Sequence, residues 1–339
     1  MGTVAGKWFQ TLVVLLGAAA AGMAQNGSTA SPPPTPSAPP QQTESQPQQT
    51  PPAQDTQGGG FVFKAEVQEV ILHAVVVDQN NHLVTSLGRQ NFSILEDGKP
   101  QKLTFFRQED MPVALGILVD NSGSMRPKRA KLSEAALKLV EGSRTQDRVF
   151  VVNFGDEPYL DQDFTSDVGK LKAALMRTET QGSTALYDAV VASAEHLQSG
   201  APHQKKVLLV ITDGQDNASQ DTLNQALHQL ETKNGPVVYA IALQAPGSTL
   251  QERRDDIQTL CQRTGGAAFF PDSLDNVRSI AETIAHDIRS QYVLGYRSSN
   301  PDRPGTYHSI VAHASDTAGD VLRVSTRAGY YTDASGNIQ

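Results

Sequence analysis

The chain has 339 residues, with 28 basic and 36 acidic side chains and a net charge of −8. That balance argues against nucleic acid and anionic membrane surfaces as partners, since both need clustered positive charge. The length exceeds one ordinary domain, and a single cysteine, Cys261, rules out an internal disulfide.

The first 24 residues place Lys7 before an apolar stretch beginning near Leu12, and end in small residues around Gly22 and Ala24. This layout predicts a secretory signal peptide over 1–24, cleaved after Ala24. Its apolar part is shorter than the ~20 residues of a membrane-spanning helix. An uncleaved anchor is the alternative; no other segment is apolar enough to span a bilayer, so the mature chain has no expected transmembrane segment. No cysteine lies near the cleavage point to carry a lipid. The chain is expected to be exported to the periplasm, the cell surface or the medium. Cys261, at an apolar helical position in "IQTLCQRTGG", then reads as a buried structural thiol.

Residues 25–59 are rich in Pro, Gln and Ser and nearly devoid of apolar side chains. Such a segment cannot bury enough surface to offset its ordering entropy, so it is predicted to be a disordered tether. From residue 60 to 109 the pattern turns to strands. "AEVQEVILHAVVVD" is apolar and β-branched, and "FSILEDGKPQKLTFF" reads as a hairpin about Asp97-Gly98.

Residues 110–287 alternate between buried-type strands and helices. Strands are predicted at 113–119, 148–154, 206–212 and 237–243, with "YLDQDF" as an antiparallel edge and "AAFF" as a last short strand. Helices are predicted at 128–141, 167–177, 185–198, 219–232, 250–263 and 273–289. Runs such as "VLLVIT" lack polar alternation, which fits strands covered on both faces. The alternation implies crossover units and a mostly parallel sheet. From 288 to 332 helical periodicity stops, and "QYVLGYR", "YHSIVAHAS" and "VLRVSTRAGYYT" read as three strands before a flexible tail at 333–339. Neither β-rich flank holds enough apolar strand for its own core, so the two are expected to form one discontinuous β-sandwich into which the α/β domain is inserted.

Three segments deliver oxygen atoms to the carboxyl edge of the predicted parallel sheet, where such folds bind ligands. They are "DNSGS" after the first strand, with Asp120, Ser122 and Ser124; "GSTALYD", with Thr184 ahead of a helix; and "ITDGQD", with Asp213 after another strand. Carboxylate and hydroxyl oxygens suit a hard divalent cation, Mg²⁺ first, with Mn²⁺ and Ca²⁺ as alternatives. A competing account is local: Asp120 and Thr184 could cap helices and "TDG" could be a turn. Asp216 reads as a solvated loop charge and Asp188 as structural. The histidines, His308 and His313 among them, show no metal-ligand spacing, and Ser183 has no identifiable base. No enzyme is expected.

The ordered set D-x-S-x-S, Thr before a helix, and "TDG" after a later strand resembles the von Willebrand factor type A domain, over roughly residues 110–287. The resemblance implies a Rossmann-like fold and a metal-ion-dependent adhesion site at Asp120, Ser122, Ser124, Thr184 and Asp213. It also implies that a partner's Asp or Glu carboxylate completes the metal's coordination, while Thr184 and Asp213 exchange direct and water-bridged roles. The whole chain looks like exported bacterial von Willebrand factor A-related proteins of the acidobacterial type, through "NFSILEDGKPQKLTFF", "QYVLGY" and "RAGYY". The leading expectation is a metal-dependent protein-binding module. The alternatives are an envelope scaffold whose metal only stabilises the loops and, behind it, a metal-assisted hydrolase or chelatase-like accessory.

Overall fold

The structure, a computed structural model, describes residues 69–108, 111–177, 182–243, 250–300 and 303–332. The expected signal peptide at 1–24, the linker at 25–59 and the tail at 333–339 lie outside the described residues. Among the described residues, no helix is long and apolar enough to cross a membrane.

The first β-rich flank contains β1 (Glu69–Val77), β2 (Phe92–Glu96), β3 (Lys99–Gln101) and β4 (Leu103–Arg107). The α/β region follows with β5 (Val113–Asp120), α1 (Arg129–Glu141), β6 (Arg148–Phe154), β7 (Pro158–Thr165), α2 (Val168–Leu175) and α3 (Leu186–Gly200). It continues through β8 (Lys205–Thr212), α4 (Leu223–Leu230), β9 (Val237–Ala242), α5 (Leu250–Thr264), β10 (Ala268–Phe269) and α6 (Val277–Arg289). The second flank holds β11 (Tyr292–Arg297), β12 (Tyr307–Ser315), β13 (Val321–Ser325) and β14 (Gly329–Tyr331).

The α/β region forms a six-stranded sheet in the order β10-β9-β8-β5-β6-β7, parallel except for the antiparallel edge strand β7. Every residue of β5 is buried because both faces are covered. Odd-numbered side chains from Val113 to Val119 join α1, α2 and α6 in one core, with Leu132, Val140, Leu175 and Ile284 among the packing residues. Ala114 and Leu118 turn to the other face and pack with α3, α4 and α5. Cys261 is fully buried in that second core, and burial pushes its thiol pKa upward, as suits a structural position.

The flanks combine in one antiparallel sheet whose eight strands run β3-β2-β12-β13-β1-β11-β4, with β14 beside β12. The mixed α/β domain therefore interrupts a discontinuous β unit. That unit is one hydrogen-bonded path rather than two separate sheets. β1 pairs with β11 through Ala74 and then with β13 from Val75 onward. β3 and β4 occupy opposite ends of the path with only Lys102 between them, so the sheet curls around its core until its ends meet. Val70, Leu72, Ala74, Ile94, Tyr292, Leu294 and Tyr296 fill that core.

Two local expectations change. The turn at Asp97-Gly98 exists, with φ of 49° and 76°, the positive values that a tight two-residue hairpin turn needs. Its hairpin is short: β3 pairs with β2, but β4 leaves to pair with β11. Likewise "VLRVSTRAGYYT" is two strands. Arg327, between them, turns inward and donates to the carbonyls of Thr232 (2.7 Å), Lys233 (2.8 Å) and Gly235 (2.6 Å). Satisfying those carbonyls ties the β unit to the loop before β9 and interrupts the ladder.

Candidate metal centre

Strand order reverses between β5 and β8, which lie side by side and parallel. Loops leaving the carboxyl ends of two such strands diverge to opposite faces and open a crevice. Asp120 ends β5 and Asp213 directly follows β8, so the crevice is lined by a carboxylate from each side.

The Asp120 carboxylate is fully buried and organised by two donors. Oδ1 accepts the Ser122 backbone N–H at 2.8 Å, and Oδ2 accepts the Thr212 hydroxyl at 2.6 Å. Burial pushes the Asp120 carboxyl above the usual carboxylate range, Thr212 and Ser122 pull it back, and the nearby Asp213 charge adds to the rise. The chain then tightens into a 3₁₀ turn at Gly123–Met125, with Met125 buried in the core as its anchor. That turn brings the hydroxyls of Ser122 and Ser124 to 3.1 Å from each other, and Ser124 donates to Asp213 Oδ1 at 2.7 Å. The Lys128 ammonium takes the other oxygen, Oδ2, at 2.5 Å.

The third segment reaches the same crevice through backbone contacts. Gly123 N–H donates to the Gly182 carbonyl at 3.3 Å, and Ala185 N–H donates to the Gly155 carbonyl at 2.7 Å. Thr184 is held from the Asp213 side: its N–H donates to Asn217 Oδ1 at 2.8 Å, and its carbonyl accepts from Asn217 N–H at 3.0 Å. A Cβ on Gly214 would stand 2.9 Å from the Thr184 hydroxyl oxygen, so glycine here lets the two loops approach. The fold thus brings Asp120, Ser122, Ser124, Thr184 and Asp213 together around one crevice.

Helix capping does not account for this arrangement at Thr184. The N-cap residue of α3 is Ala185, with no side-chain cap. The first turn of α3 is met instead by Asp216, whose Oδ2 accepts the Tyr187 N–H at 3.0 Å and also the Ser219 hydroxyl. Asp216 is therefore a cap supplied by a neighbouring loop and not the solvated loop charge read from the sequence. Asp188 accepts the N–H groups of Gln220 (3.0 Å) and Asp221 (2.8 Å), a structural role. The Thr184 hydroxyl makes no hydrogen bond among the described residues, which leaves its lone pairs for a ligand.

Several supporting residues were not singled out in the sequence. Thr212 faces Asp120 because their strands are adjacent in register. Arg129 is buried beneath the first loop and donates to Asn121 Oδ1 (2.7 Å), Asn153 Oδ1 (2.6 Å) and Ser133 Oγ (3.0 Å). Burial lowers its guanidinium pKa to about 10. The signal was present, since Arg129 shares the helical face of Leu132, Ser133 and Ala136, all buried. A second polar cluster, Glu96, Asp97 and His308, has ligand-type atoms within 4.8 Å of one another. Glu96 is already saturated by donors: the hydroxyls of Tyr296 (2.6 Å), Tyr330 (3.2 Å) and Ser298, and the Asn300 amide (2.8 Å).

The donor set around Asp120 is all oxygen, with two carboxylates and three neutral hydroxyls, and it fits a hard divalent cation. Residues 115–215 match the von Willebrand factor type A domain family, so the parallel-sheet region is a domain of that type. Among solved structures, the chain is similar to proximal thread matrix protein 1 from the mussel byssus, in a structure with a zinc-occupied MIDAS (metal-ion-dependent adhesion site) motif. The identity is 18%, the TM-score 0.45, and the match covers 58% of this chain and 50% of that one. It is also similar to BatB, a conserved hypothetical protein from Bacteroides thetaiotaomicron, at 18% identity and a TM-score of 0.42, over 52% and 100% of the two chains. A von Willebrand factor type A structure from Catenulispora acidiphila has 13% identity and a TM-score of 0.45, over 78% and 75%. This chain spans half the length of the mussel protein. No curated protein matches it.

Proposed function

We propose that this protein is an exported, metal-dependent binding module that holds a protein partner through one of the partner's Asp or Glu carboxylates. In this reading Asp120, Ser122, Ser124, Thr184 and Asp213 hold a single divalent cation, Mg²⁺ ahead of Mn²⁺ or Ca²⁺. When bound, the cation supplies a positive centre with room for one more anionic ligand. The observation that carries the reading is the contact of Ser124 with Asp213 (2.7 Å), which joins the loops after β5 and β8 at the point where the strand order reverses.

The protein's own contribution is charge control. Three of the five side chains are neutral, so the set stops short of overwhelming a divalent ion with carboxylates. Arg129 and Thr212 fix the first loop from below, so Asp120 and the residue beside it are positioned in advance. The structural-scaffold alternative asks the metal to hold the loops in place. Here the loops already hold one another through Gly123–Gly182 and Thr184–Asn217, which favours the binding reading. The Ser124 hydroxyl does meet a carboxylate, Asp213, but that carboxylate is already engaged in an ion pair with Lys128, and we read the site as binding rather than catalytic.

Titration calorimetry with Mg²⁺ and Mn²⁺ on residues 60–332 tests the metal site. One site is expected, and Asp120→Ala should lower its affinity by about a hundredfold or more. Equal binding by the two proteins would remove this loop from the site. Capture of an envelope-extract partner that is abolished by chelation and by Asp120→Ala supports adhesion; capture indifferent to both overturns it.

A further inference from the structure

On the opposite edge of the α/β domain, where the parallel strands begin, lies a cavity of about 580 Å³ shared with the outer face of the closed sheet. Alternation along β1 builds one wall. Its even residues fill the core, so Ile71 and His73 turn outward into the cavity. Strand register sets Ile71, Gly295 and Phe105 in one cross-strand row, and His73, Val293 and Arg107 in the next. A Cβ on Gly295 would meet the Phe105 Cβ at 2.8 Å, so glycine keeps this wall flat; Ile71, Phe105 and Val293 make it largely apolar, with the Glu69 carboxyl carbon 3.3 Å from the same point. The other wall is cationic, with Lys206 at the start of β8 and Arg327 from the second flank.

Among the described residues one acid, Glu69, lines the cavity against Lys206, Arg107 and Arg327, and its carboxylate already accepts the Thr104 hydroxyl. Glu231 also acts on the Arg327 charge. Arg327 is buried and spends its donors on three carbonyls rather than on a carboxylate. The Lys206 ammonium has no ion pair or hydrogen bond among the described residues. Burial lowers its pKa, and the Arg327 charge lowers it further. His73 Nδ1 is buried with no hydrogen-bond partner among the described residues. Burial and then the charges of Lys205 and Arg327 push the His73 pKa down to about 3, so the ring is neutral and one tautomer offers an N–H. Among the described residues, three cations against one lining acid leave the cavity net positive, and an unpaired Lys206 ammonium beside an orphaned ring nitrogen is unfavourable unless something anionic joins them.

We infer that this cavity binds a small organic anion, with its carboxylate or phosphate head against Lys206 and His73 and an apolar body along Ile71, Phe105 and Val293. The site is independent of the metal centre, and its ligand chemistry is readable from its two walls. Charge on one side alone would take inorganic phosphate equally well; the apolar surface of Ile71, Phe105 and Val293 favours an anion with a hydrocarbon arm, and the Glu69 carboxylate disfavours a second charge at that end.

The test is calorimetry on residues 60–332 in buffer without divalent cations, using octyl phosphate, octanoate, inorganic phosphate and octanol as probes. One or both alkyl anions should saturate a single site, and inorganic phosphate and octanol should each bind at least about tenfold more weakly. The stronger of the two alkyl anions identifies the head group. Lys206→Met, which keeps the aliphatic stem, should weaken the alkyl anion by about tenfold or more. As a reading that does not depend on a variant, the His73 ring resonances should shift on saturation. Octanol binding as tightly as the alkyl anions, or no saturable binding by either anion with His73 unmoved, overturns the inference. Unchanged affinity in folded Lys206→Met overturns it as well.

Discussion

Buried carboxylates occur in two regions of this molecule, and their surroundings differ in kind. Glu96, in the closed sheet, is fully buried and ringed by four neutral donors from Tyr296, Tyr330, Ser298 and Asn300. A carboxylate has about four lone-pair sites, so Glu96 is full. Asp120 and Asp213, at the edge of the parallel sheet, are also buried, but each accepts two donors among the described residues, and part of that bonding comes from exchangeable groups. Ser124 can surrender its hydrogen bond and offer a lone pair in its place, and Lys128 is a tethered cation on a flexible stem. Burial alone therefore does not mark a ligand. Unspent acceptor capacity beside groups that can change roles does.

The comparison breaks first at Glu96. Glu96→Ala orphans two buried tyrosine hydroxyls, Ser298 and an amide, and should destabilise the protein by about 3 kcal/mol in urea unfolding. Metal affinity of the folded fraction should not change. A loss of metal binding with the fold intact would mean that Glu96, Asp97 and His308 form the true cation site.

Thr184→Ala sharpens the other side. Its hydroxyl carries no charge and makes no protein hydrogen bond, so the metal should lose little. In the proposed metal-bound state that receives a carboxylate, the hydroxyl would be a neutral ligand that leaves the ion more electrophilic, so partner binding should fall further, by about 1–3 kcal/mol of coupling. Metal affinities of both proteins, with and without an acidic peptide, measure the difference. Equal losses would make Thr184 an ordinary ligand.

Lys128 gives a smaller effect of opposite sign. Its ammonium sits on Asp213 Oδ2 at 2.5 Å, the side chain being 16% exposed, so an arriving cation must displace or repel it. Lys128→Met should raise Mg²⁺ affinity by about fivefold, and the gain should shrink with added salt. Weaker binding in the variant would show that Lys128 positions Asp213 rather than competing for it.

Much of this was legible in the sequence for a physical reason. Strands buried on both faces must be continuously apolar, so β5, β6, β8 and β9 stand out within a residue or so of their ends. The five oxygen-bearing residues stand out because they follow such strands or precede a helix. What did not show is long-range pairing. The departure of β4 to β11, the closure of the β unit and the contact of His308 with Asp97 (2.7 Å) all join positions far apart in the chain. Local propensity carries no record of such partners. Asp216 illustrates the same limit on a smaller scale: its charge was visible, but its role depends on α3 arriving beside it.

Asp287 completes the series as a carboxylate with no hydrogen-bond donor among the described residues. It lies half-buried on α6, and burial raises its pKa to about 6, with only His286 opposing the rise. Because the folded state holds this proton more tightly than the unfolded chain, folding is penalised above about pH 6 and the penalty vanishes below about pH 4. Asp287→Asn should therefore stabilise the protein by about 1 kcal/mol near pH 7.5, a value reduced for solvent screening of a group this exposed. Near pH 3.5 the variant and the parent should melt together. A uniform shift of Tm at both pH values would mean that the substitution acts through helix propensity or packing and not through the buried charge. The rule drawn from Glu96 and Asp120 would then lose its third case, because a carboxylate without donors would have found its solvation in water after all.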